Sequence, residues 1–143
     1  MTVTVRFLQI VPHKIRRIGE LHTFSLIGHD LLKILNHNEV PYVIVEKESC
    51  CGMPKLELGD LNSVGKSKDA NIPVLAKYAK DGFAILSAVP SCTLMFKQEI
   101  PLMYPGDADV ALVKEAMWDP FEYLPACTRT SAARVKLVRL ASK

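Results

Sequence analysis

Phe83-Ala-Ile-Leu-Ser-Ala-Val89, followed at once by Pro90-Ser91-Cys92, is the stretch on which the fold turns. A seven-residue apolar run closed by Gly82 on one side and Pro90 on the other is short for a helix, and it predicts a buried strand. Behind it, Thr93–Tyr104 has helical character, and Ser91 stands where a cap belongs. A second β-branched run, Pro41-Tyr-Val-Ile-Val45, predicts another buried parallel strand. Between the two lie a loop over Glu46–Asp60, marked by Gly52, Pro54 and Gly59, and a helix over Leu61–Lys80 that Pro73 is expected to kink or split. Strands alternating with helices predict an α/β fold, a small domain of two or three layers with a mostly parallel sheet and flanking helices.

Working outward, Leu31, Leu32, Ile34 and Leu35 form one apolar helical face that ends at Asn36–Asn38. Val3–Val11 alternates weakly and gives a further strand, stopped by Pro12. On the other side, Pro105-Gly106-Asp107 breaks the helix after Cys92, and Asp107 or Asp109 opens another that ends near Trp118-Asp119-Pro120. The expected organisation is an irregular N-terminal segment over 1–27, a cysteine-rich domain over 28–124 and a basic tail over 125–143.

The 143 residues suit one domain with a self-sufficient core, and 49% hydrophobic with 23% charged residues is a soluble composition. No apolar run approaches the roughly 20 residues of a membrane span, and Arg6 interrupts the early apolar stretch before it resembles a signal peptide. These features place the chain in the cytoplasm, where four cysteines are ligands, redox groups or bystanders before they are disulfides. The net charge of +3 is unevenly spread: residues 28–124 carry nine lysines, no arginine and fourteen acids, whereas all six arginines lie in the two ends. A solvated basic end explains the tail better than a nucleic-acid partner does. A change of reading frame or a truncated gene would leave the same switch from lysine to arginine.

The chemistry-bearing residues are Cys50-Cys51-Gly52-Met53-Pro54 and Pro90-Ser91-Cys92. Adjacent cysteines send their side chains in different directions, but a bend at Gly52 and Pro54 can turn both sulfurs towards one centre. In a parallel sheet the loops leaving the strand carboxyl ends gather at one edge. Val45 leads into Cys50 and Cys51, Val89 leads into Cys92, and three thiols can therefore meet there. Such a set selects an iron–sulfur cluster, zinc or copper(I) over hard cations. Packing of free cysteines in a core is the competing reading.

The string Cys-Cys-Gly-x-Pro at 50–54, Gly59-Asp60, Asn71 and Pro90-Ser-Cys-Thr-Leu-Met95 resembles the cysteine-rich CCG-domain proteins over roughly Gly28–Leu124. These include the C subunit of anaerobic glycerol-3-phosphate dehydrogenase, the more similar branch, and the B subunit of heterodisulfide reductase. The resemblance implies an electron-transfer component of an oxidoreductase, with Cys50, Cys51 and Cys92 as metal ligands of an iron–sulfur cluster of the 4Fe–4S type. Gly52 and Pro54 would shape the ligand loop. It also implies a flavoprotein dehydrogenase subunit and a second CCG domain as partners, with peripheral membrane association through them. The family's upstream cysteine has no counterpart in Val11–Ile27, where His13 and His22 are the nearest soft donors, and its CxxC ending is absent after Cys92. The alternative is therefore a cluster-free or zinc-binding assembly domain, including a truncated or decayed paralogue. Cys127 lies in the tail and is read as incidental.

Other features carry ordinary readings. Val64-Gly65-Lys66-Ser67 lacks the earlier glycine of a phosphate-binding loop and reads as part of a helix. His29 and His37 sit two helical turns apart, too far to share a metal. Asp107 and Asp109 suit a helix N-terminus, and Trp118, Phe121 and Tyr123 read as a core plug. A thiol enzyme is disfavoured because no His or Arg lies close in sequence to a lone cysteine.

Overall fold

The computed structural model describes residues 5–8, 20–45 and 49–130, with side chains over 27–45 and 49–126. The elements run β1 (Val5–Leu8), α1 (Glu20–His37), β2 (Tyr42–Ile44), α2 (Met53–Glu57), α3 (Leu61–Lys80), β3 (Ala84–Ser87) and α4 (Pro90–Leu94). A π-helical turn, Met95–Glu99, then leads into α5 (Ile100–Met103), α6 (Ala108–Ala116), β4 (Met117–Trp118) and α7 (Pro120–Thr130). Helix outweighs strand by residue, but the helices are arranged on a four-stranded sheet of order β2-β1-β3-β4. All three pairings in it are parallel.

β3 explains the layering. Its four residues are all buried, and the period-2 alternation of a strand sends them to opposite faces. Ile85 joins a core with Val64, Ile72 and Leu75 of α3, Met95 and Phe96 of the π turn, Ile100 of α5, and Val110 and Val113 of α6. Ala84 and Leu86 join a second core with Leu31 and Leu35 of α1 and Tyr123 of α7. Helices therefore cover both faces, and of the two expected arrangements the structure has three layers.

Local chemistry sets the element ends. Asp60 caps α3, its carboxylate accepting the Ser63 amide at 3.1 Å, and Gly82, at φ +79°, follows its C-cap Asp81. Pro73 stays inside α3, which is one helix rather than two. Asp107 caps α6 by accepting the amides of Asp109 at 3.0 Å and Val110 at 3.1 Å. The π turn has a cause in the sequence. Pro101 has no N–H to return to the preceding turn, and just before it the Ile100 amide reaches back to the Met95 carbonyl, a five-residue step.

Several expectations are corrected. β2 is an edge strand whose Val43 and Ile44 are 40% and 44% exposed, because it has β1 on one side only among the described strands. The helix after Cys92 starts at Pro90, with Val89 and not Ser91 at its N-cap position. The loop over Glu46–Asp60 contains α2; α6 ends at Ala116, close to the expected stop, and β4 and α7, which were not expected, follow it. α1 begins at Glu20, ahead of the apolar face that starts at Leu31, and β1 lies within Val3–Val11, where a strand was expected, as an inner strand of the sheet. Phe121 is 83% exposed and no part of a core plug, whereas Tyr123 is buried and meets Trp118 edge to face at 6.0 Å. His29 and His37 are exposed on α1.

Candidate functional site

β2 and β3 are both parallel to β1 and flank it, so their carboxyl ends open at the same edge, two strand spacings or about 10 Å apart. Beyond β2 and Val45, Cys50-Cys51-Gly52 stands immediately before α2. From β3 the chain enters α4, whose first turn carries Cys92. Cys51 and Cys92 are 2% and 5% exposed, and Cys50 is half-buried. The two segments meet at Cys51 and Cys92.

There the three sulfurs gather around Cys51. The Cys92 thiol donates to the Cys51 sulfur and is the main reason that its thiol falls from 9.0 to about 7; burial opposes the fall, and the amides of Met53 and of Cys51 itself and the Cys50 thiol assist it. Cys92 moves the other way, held protonated by its hydrogen bond to Cys51, by burial and by the charge on Cys51. The Met53 N–H is free for this contact because it belongs to the first turn of α2, where helical amides have no partner behind them.

Gly52 makes the bend possible in two ways. Its φ of +95° is left-handed, and a Cβ there would stand 3.2 Å from the Ser67 Cβ of α3. Pro54, in the first turn of α2, has no N–H to leave unsatisfied. Asn71 ties the loop down from α3. Its Oδ1 accepts the Ser49 amide at 3.0 Å, and its Nδ2 donates to the carbonyls of Cys50 at 3.1 Å and Ser67 at 3.0 Å. Next to Cys92, the Thr93 hydroxyl is buried with no hydrogen-bond partner.

The structure thus brings together Cys50, Cys51, Gly52, Pro54 and Cys92, all of the residues singled out in the two motifs. His13 and the side chains of His22 and Cys127 lie outside the described residues. Val64-Gly65-Lys66-Ser67 is inside α3, with no phosphate loop. The tethering role of Asn71 is the feature that sequence reasoning missed. A signal existed: a polar residue one place before Ile72 on the apolar stripe of Val64, Ile72 and Leu75 calls for a buried partner. Among the described residues, no group of three or more His, Cys, Asp or Glu side chains is arranged to hold a metal ion. Cys50, Cys51 and Cys92 are free thiols. A cleft of about 200 Å³ lined by Lys97, Lys114, Glu115, Met117 and Trp118 contains none of the cysteines.

A parallel sheet with adjacent cysteines after one strand and a third after another defines a cysteine-rich α/β domain. The chain matches the cysteine-rich domain family, CCG, over residues 17–97, and it belongs to that family. It is similar to the C subunit of anaerobic glycerol-3-phosphate dehydrogenase from Escherichia coli strain K12, 26% identical over 76 residues. The same protein from Escherichia coli O157:H7 matches equally. The match takes in 52% of this chain and 19% of that relative, so the chain spans about a fifth of the curated relatives it matches. No solved structure matches the chain.

Proposed function

We propose that the domain is an iron–sulfur electron-transfer unit of a flavoprotein-linked oxidoreductase of the anaerobic glycerol-3-phosphate dehydrogenase kind. The observation that carries the reading is the convergence of Cys50, Cys51 and Cys92 on one sheet edge, where Cys51 receives hydrogen bonds from both other thiols. The donor set fits such a cluster in kind: three thiols, two amides directed at one sulfur, and an orphaned Thr93 hydroxyl beside Cys92. It is one sulfur short of the usual four. The remaining ligand would come from another domain, another chain or solvent.

When bound, a 4Fe–4S cluster supplies reversible one-electron transfer. Cys50, Cys51 and Cys92 would hold it, giving up their protons on ligation. The amides of Met53 and Cys51 would stabilise charge on the Cys51 sulfur, and the buried loop would keep water from it. A flavoprotein dehydrogenase and a second CCG domain are the proposed partners, with a cytoplasmic location and peripheral membrane association through those partners. No helix among the described residues is long and apolar enough to cross a membrane.

A second reading has its own observation. Cys51 and Cys92 both belong to the larger apolar core and satisfy each other, as they would in a cluster-free or zinc-binding assembly domain. Anaerobic reconstitution with iron and sulfide, followed by absorbance and metal analysis, separates the two. Iron with acid-labile sulfide and a broad visible band is the expected result. A folded, colourless protein without iron, or one that takes up only zinc, contradicts the electron-transfer reading.

A further inference from the structure

We draw no further inference here: the strongest candidate, the apolar outer edge of the sheet along β2, where Val43 and Ile44 are exposed and no further strand pairs among the described residues, carries nothing because nothing in the structure shows what covers it.

Discussion

At residue scale, the site depends on a backbone conformation that the sequence states openly. Gly52 follows two cysteines and precedes Pro54, and only glycine enters its φ of +95° freely. Gly52→Ala should cost about 1–2 kcal/mol from backbone strain alone, and its new methyl would press on Ser67 of α3. A lower urea midpoint at unchanged slope is the expected reading, and an unchanged midpoint would refute the strain argument. Cys50, Cys51 and Cys92 were equally legible, since two cysteine motifs each followed a strand-like run. The hydrogen bonding among their thiols was not legible, because it depends on how two loops separated by about forty residues of chain meet. Asn71 falls between: its type and place were visible, but its partners lie more than twenty positions away.

At the scale of elements, caps and breakers were read more faithfully than short strands. Leu61–Lys80 coincides with α3 because Asp60 and Gly82 bracket it unambiguously. β4 has two residues and no periodicity to detect, and the π turn answers to Pro101 only once the helix is built. Asp107 carries a prediction of its own. Its carboxyl is held below the usual carboxylate range, first by the Val110 amide and then by Lys68. A group depressed in the folded state stabilises above its unfolded value of about 3.9 and loses that contribution as pH falls through the folded value. Asp107→Ala should therefore lower the melting temperature at neutral pH. The gap to wild type should narrow as the pH is taken below about 4. A gap that stays constant across that range would show that the charge contributes nothing. Lys68 ties the same region together, lying over the Tyr104 ring at 4.7 Å between Asp69 and Asp107.

At the scale of the whole molecule, the α/β class and the shared sheet edge followed from alternating strand and helix patterns. The order β2-β1-β3-β4 could not be read so directly, because a strand's sequence records its own burial and not its neighbours. That gap explains why Pro41–Val45 was expected to be interior and is an edge. It also explains why the weakly patterned Val5–Leu8 is an inner strand. The two cores make a contrast measurable by denaturation. Phe96 is fully buried in the larger core, so Phe96→Ala should cost about 3–5 kcal/mol. Phe121, 83% exposed on α7, should tolerate the same change within about 0.5 kcal/mol. Equal losses at both sites would contradict the layering.

If thiols from two loops form one cluster site, iron and acid-labile sulfide per chain report it. The measurement compares anaerobically reconstituted wild type with Cys51→Ser, Cys92→Ser and Cys127→Ser, each checked for folding by circular dichroism. Iron and sulfide should be lost together in Cys51→Ser and in Cys92→Ser and retained in Cys127→Ser. Full iron and sulfide in folded Cys51→Ser would contradict the shared site.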